Sequence, residues 1–136
     1  MLKRFSIAIE ENLLLQFDKF IRRRKYNNRS EAIRDLIRNS LVKDEWEADK
    51  EVIGVISLLY DHHQHQLQEK ITVLQHDFHQ QIVSTTHIHV DHDNCLEVII
   101  VRGNAQKIRG LAERLTALRG VKNGNLSMSS TGGHLL

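Results

Sequence analysis

Thr86-His87-Ile88-His89-Val90-Asp91-His92-Asp93-Asn94-Cys95-Leu96-Glu97 is the stretch that decides how the rest of the chain folds. On either side of a polar break it alternates, as half-buried strands do. Side chains along a strand point to opposite faces in turn, so His87 and His89 share one face and Ile88 and Val90 the other. Past the break, Leu96, Val98 and Ile100 are expected on the apolar side, with Cys95 and Glu97 opposite. For the even-numbered residues of both strands to share a face, the connection must hold an odd number of residues. His92-Asp93-Asn94 suits a three-residue hairpin loop, with Asn94 tolerating the left-handed conformation. The parity that builds the core thus gathers His87, His89 and the only cysteine, Cys95, on one surface.

The neighbouring segments extend this hairpin into a domain. Val52 to Tyr60 reads as a strand. Residues near His62 to His79 carry Leu67, Ile71, Leu74 and Phe78 at helical spacing. Ile82 to Asp91 and Leu96 to Val101 are the two hairpin strands. Asn104 opens a second helix with Ile108, Leu111, Leu115 and Leu118 on one side. Val121 to Met128 is a last strand, and a mobile tail begins at Thr131-Gly132-Gly133. The order is βαββαβ, a ferredoxin-like unit over residues 51–136 with the form of a small regulatory domain.

The first part of the chain is different in kind. Phe5, Ile7 and Ile9 alternate with Arg4, Ser6 and Ala8, a half-buried strand. Leu13, Leu14, Phe17, Phe20 and Ile21 give an amphipathic helix that ends in Arg22-Arg23-Arg24-Lys25. Asn28, with Glu31 three residues on, looks like a capping-box variant at the start of a second helix, which buries Ala32, Ile33, Leu36, Ile37 and Leu41. One strand and two helices cannot close a core alone, because a lone strand leaves its ladder groups unpaired. The same strand of a second chain would supply the partner. The expected organisation is α+β: a βαα head over 1–45, a charged linker at 46–50, then the βαββαβ body.

Charge divides the same way. Residues 1–43 hold 11 Lys and Arg against 5 Asp and Glu, while residues 44–136 hold 8 against 12. A basic head and an acidic body point to a polyanion as the head's partner. A single cysteine makes no intrachain disulfide, so a free thiol and a reducing compartment are expected. No apolar run approaches the ~18 residues of a membrane span, and Met1-Leu2-Lys3-Arg4 does not open a signal peptide, so a cytoplasmic protein without membrane contact is expected. Gly-rich phosphate loops and a Ser/His/Asp order are both missing, which leaves enzyme chemistry no foothold.

Two imidazoles and a thiolate are three metal ligands, and a closed site needs a fourth. His76 and His79 fall on the preceding helix, which is expected to pack on the Ile88/Val90 side, across the sheet from the ligand face. A histidine from another subunit supplies the fourth ligand more easily, making metal and assembly interdependent. Imidazole suits Zn, Cu, Fe and Ni, and a planar His₃Cys set suits Ni(II) where Zn(II) prefers a tetrahedron. His62, His63 and His65 read as a solvated helix start or as weak secondary ligands.

The order strand–helix–helix with Asn27-Asn28-Arg29-Ser30-Glu31-Ala32-Ile33-Arg34 resembles the ribbon-helix-helix repressors. In that family a paired ribbon enters the major groove of DNA. Arg4, Ser6 and Ala8 would then face the bases, and the helix start at Asn28, Arg29 and Ser30 would receive a phosphate on its backbone N–H groups. Nearly the whole chain is similar to the NikR nickel-responsive regulators, above all in Thr86-His87-Ile88-His89, His92-Asp93-Asn94-Cys95-Leu96-Glu97 and His76. The resemblance implies a Ni(II) site, one per chain, of His87, His89 and Cys95 with His76 from a facing subunit. It further implies a homotetramer, a dimer of dimers, bound to a double-stranded operator, with Ni(II) as corepressor of nickel-import genes. Glu31 and Asp35 match the acidic residues that hold a second cation in some members. Ala8 departs from the threonine that often contacts bases, so the operator would differ. Two other readings stand beside this one: a ribbon-helix-helix regulator of a small molecule, and a metal storage or chaperone protein.

Overall fold

The computed structural model describes residues 1–136 and resolves two compact units, Met1–Asn39 and Ser40–Leu136. In the first, α1 (Glu11–Arg24) ends at Lys25, whose left-handed backbone turns the chain toward α2 (Arg29–Glu47). Asn28 Oδ1 accepts the N–H of Glu31 at 2.9 Å, so the expected cap forms. Arg29 makes a forked pair with Asp18, at 3.0 and 2.9 Å, that ties the two helices together. Only Ile21 and Ala32 are buried in this unit, while Leu13, Leu36 and Ile37 are exposed.

The strand expected over residues 4–9 is not formed in the single chain. Residues 1–10 carry no ladder, and Phe5, Ile7 and Ile9 are exposed. A strand exists only against a partner, and this unit of one chain offers none.

The second unit contains β1 (Glu51–Asp61), α3 (Leu67–Asp77), β2 (Ile82–His89), β3 (Asn94–Asn104), α4 (Ala105–Thr116) and β4 (Val121–Met128). The strands form one antiparallel sheet in the order β2-β3-β1-β4, the topology of the expected βαββαβ unit. Val52, Ile56, Leu58 and Tyr60 of β1 join Cys95, Ile99 and Val101 of β3 on the buried face, against Leu67 and Ile71 of α3 and Ile108, Leu111 and Leu115 of α4. Each such side chain contributes about 1.5–3 kcal/mol by leaving water. Gly54 lies on the same face, where a Cβ would stand 3.1–3.2 Å from Leu126, Ile108 and Trp46.

Four expectations change here. The segment given to a charged linker is structural: α2 runs unbroken to Glu47, and Trp46 is a buried member of the core with Nε1 donating to the Ser129 carbonyl at 2.9 Å. Asp49 Oδ1 then accepts the N–H of Gln106 at 2.8 Å, capping α4 from outside the helix. Nor is the tail loose at its start, since Ser129 N–H donates to the Ile53 carbonyl and Ser130 Oγ to the Glu45 carboxylate.

The other two changes concern the hairpin. Its loop is Asp91-His92-Asp93, one residue earlier than expected, because His89 pairs with Cys95 and Val90 N–H donates to the Asn94 carbonyl. Asp91 Oδ1 accepts the N–H groups of Asp93 and Asn94 at 2.9 and 2.8 Å, closing an Asx-turn without a left-handed residue at 94. The loop length stays odd, so the parity holds. Which face meets the helices is reversed: Cys95, Glu97, Ile99 and Val101 are buried, while Leu96 and Val98 are half-buried and Ile100 is exposed.

Candidate metal centre

His87 pairs across the ladder with Glu97, and His89 with Cys95. One ligand atom from each of His87, His89 and Cys95 lies within 4.8 Å of the others. Cys95 Sγ is 3.3 Å from His89 Nδ1, and the two imidazoles have centroids 5.2 Å apart. Both histidines are exposed, while Cys95 is fully buried. The donor set mixes two borderline nitrogens with one soft sulfur, which fits a late first-row divalent ion.

Burial raises the Cys95 thiol above its ordinary range, and the nearby carboxylates of Glu97, Asp61 and Asp91 push the same way. The thiol is therefore held as S–H until a cation replaces the proton. Tyr60 pairs with Cys95 on the neighbouring strand, and its ring meets His87 edge-on at 6.1 Å. Its hydroxyl is buried without a hydrogen-bond partner, and burial together with the Glu97 charge raises its titration strongly.

The helix carrying His76 is on the ligand side of the sheet, not across from it as expected. Gln75 Nε2 donates to the Glu97 carboxylate at 3.1 Å, and Thr85 Oγ1 donates to Gln75 Oε1 at 3.3 Å. This follows from the reversed face, since α3 covers the surface on which Cys95 and Glu97 lie. His76 itself is exposed and does not join the three-ligand group; its ring stacks near His79 at 5.9 Å.

Arg4, Ser6, Ala8, Asn28, Arg29 and Ser30 are all exposed. The Arg29 guanidinium is engaged by Asp18, whose carboxyl it holds below the usual range, so an anion at this helix start would rely on backbone N–H groups. Glu31 and Asp35 line one shallow surface pocket with Tyr26, Arg34 and Arg38. The Tyr26 hydroxyl donates to Asp35, and this bond raises the Tyr26 titration. The structure also groups His63, at the turn after β1, with His92 and Asp93 of the hairpin loop.

Residues 53–129 match the family model described as the NikR C terminal nickel binding domain, and residues 3–44 match the ribbon-helix-helix protein, copG family. A ribbon-helix-helix segment ahead of such a body defines a transcriptional regulator and not an enzyme. The chain belongs to the NikR family. Proteins named "Putative nickel-responsive regulator" are 65% identical over 132 residues in Desulfotalea psychrophila (97% of each chain) and 55% identical over 129 residues in Syntrophus aciditrophicus (95% of this chain, 94% of that one). A relative of the same name in Thermococcus kodakarensis is 48% identical over 134 residues, covering 98% of this chain and 97% of its own. The solved structure of the uncharacterized protein TM1266 from Thermotoga maritima covers 58% of this chain and 98% of its own, with a TM-score of 0.53 at 12% identity, and bears on the fold alone. No helix is long and apolar enough to cross a membrane.

Proposed function

We propose that the chain is a nickel-dependent, sequence-specific DNA-binding regulator that represses nickel-import genes with Ni(II) as corepressor. The observation that carries this reading is the His87/His89/Cys95 group, three ligand atoms within 4.8 Å, in a member of the NikR family. His76 of a second copy supplies the fourth ligand, since in one chain His76 stands outside the group. Bound nickel would supply a link between chains that neither chain makes alone. The assembly is a homotetramer, a dimer of dimers, with one Ni(II) per chain.

Each residue of this chain has a part in that scheme. His87 and His89 offer imidazole nitrogen from the exposed end of β2. Cys95 gives up its proton to become the thiolate ligand, so metal affinity rises with pH. Glu97, beside His87 in the ladder, ties β3 to α3 through Gln75 and so couples the site to the helix that carries His76. Phe5, Ile7 and Ile9 are covered when two heads pair their first segments. Arg4 and Ser6 then read base edges, Ala8 offers apolar contact, and Asn28, Arg29 and Ser30 present backbone N–H groups to a phosphate. A second cation is assigned to Glu31 and Asp35. The protein works in the cytoplasm.

The test is binding to DNA lying upstream of nickel-import genes, by mobility shift, with nickel and with a chelator. The reading predicts a sequence-specific complex with nickel that the chelator dissolves. Arg4→Ala should weaken that complex far more than binding to unrelated DNA. Equal operator affinity with and without nickel would overturn the proposal. A complex that survives chelation and responds to a small molecule would instead favour a different effector.

A further inference from the structure

We propose that His63, His92 and Asp93 form a further site for a borderline divalent ion, weaker and more exchangeable than the thiolate site and sharing no ligand with it or with the Glu31/Asp35 pair. The topology makes the juxtaposition. Asp61 ends β1 opposite Asn94 of β3, so the turn that follows β1 runs beside the β2–β3 loop. One ring nitrogen each of His63 and His92 and an Asp93 carboxylate oxygen lie within 4.8 Å of one another. His63 Nε2 is 3.4 Å from Asp93 Oδ1 and 3.2 Å from the His92 carbonyl oxygen. The His62 Nε2 meets that same carbonyl, and the His62 and His63 rings are 3.9 Å apart.

Both sides of this group are held by backbone hydrogen bonds rather than by the histidines. His62 N–H donates to the Asp93 carbonyl at 3.0 Å, joining turn to loop. His63 N–H donates to Asp61 Oδ1 at 2.9 Å, and the Asp91 carboxylate closes the loop on the other side. The ring nitrogens and the Asp93 carboxylate are therefore presented by a fixed frame, while all three side chains remain exposed.

The donor chemistry sets the ligand class. Two imidazole nitrogens and a carboxylate oxygen, with a carbonyl oxygen alongside, suit Ni(II), Zn(II), Co(II) or Cu(II). Three protein ligands leave coordination positions to water, and exposure keeps exchange fast. A plain His63–Asp93 ion pair is the competing account of the same geometry. It needs one proton and no metal, and it gives His92 no part.

The experiment is equilibrium dialysis of the full chain against nickel, with metal analysis, alongside the optical spectrum. The wild-type chain is expected to take a first equivalent that develops a thiolate-to-nickel band, then a second that leaves the band unchanged. His63→Ala/His92→Ala should keep the first equivalent and its band and lose the second. His63→Gln/His92→Gln repeats the measurement with bulkier side chains, should the first variant fail to fold. No second equivalent in the wild type at millimolar free nickel would overturn the proposal, and so would a second equivalent that both variants retain. A missing band in every protein would contradict the thiolate site while dialysis still decided this one.

Discussion

Cys95 and His89 stand directly opposite each other on β3 and β2, with Sγ 3.3 Å from Nδ1, although one is fully buried and the other exposed. In the proposed site the buried partner would bring the soft ligand and the exposed partner the access. Because burial and three carboxylates hold the thiol above its ordinary range, nickel must displace a proton at neutral pH. Raising the pH therefore strengthens binding, by about tenfold per unit for one displaced proton. Titrations between about pH 7 and 8.5 should show this slope. A pH-independent affinity would mean that the thiol is not a ligand.

Gln75 is the hinge pin between helix and sheet. It donates to the buried Glu97 carboxylate and accepts from Thr85. Gln75→Ala removes both bonds and should cost about 1–3 kcal/mol, the penalty of a buried polar group left unpaired. Urea unfolding of the apo chain measures it. An unchanged midpoint would show that Glu97 finds water instead.

Trp46 belongs to the core of the sheet unit, with its ring against Gly54 and its N–H on the Ser129 carbonyl. Trp46→Ala should destabilise that unit by about 3–5 kcal/mol, as large-to-small core changes do. Thermal unfolding followed by far-ultraviolet circular dichroism reads the loss. A shift of under about 1 kcal/mol would return residues 46–50 to the status of a linker.

The Asp18–Arg29 pair makes a signed prediction about acid. Arg29 lowers the Asp18 titration, so the pair contributes above the ordinary carboxylate value and is lost as pH falls through the lowered one. Asp18→Asn should lower the melting temperature slightly at neutral pH, and the difference should close below about pH 4. The effect is small because both side chains are partly in water. A difference that persists undiminished at about pH 2 would assign it to something other than the pair.

Much of this arrangement is legible in the residues themselves. The odd hairpin loop follows from alternation alone and collects His87, His89 and Cys95 whatever the details. What alternation does not say is which face receives the helices. From Val98 to Val101 both faces of β3 are apolar, and a buried Glu97 looks like a surface residue. Trp46 was obscured by the charges around it, since a single aromatic among Asp44, Glu45 and Glu47 has no period to betray a core position. The Asp91 turn replaced the left-handed Asn94 because a side-chain acceptor closes the loop as well as a backbone conformation does. Residues 4–9 show a strand pattern that the single chain does not realise, because it gives them no strand to pair with. The His63/His92/Asp93 group lies nearly thirty residues apart in sequence and appears only once β1 and β3 are in register.

The central claim is that His87, His89 and Cys95 bind nickel through the thiolate. An optical titration of the purified chain with Ni(II), set beside Cys95→Ala, tests it most directly. The account predicts a thiolate-to-nickel band that saturates at one ion per chain and is absent from the variant. No such band in the wild type, or the same band in Cys95→Ala, would contradict it.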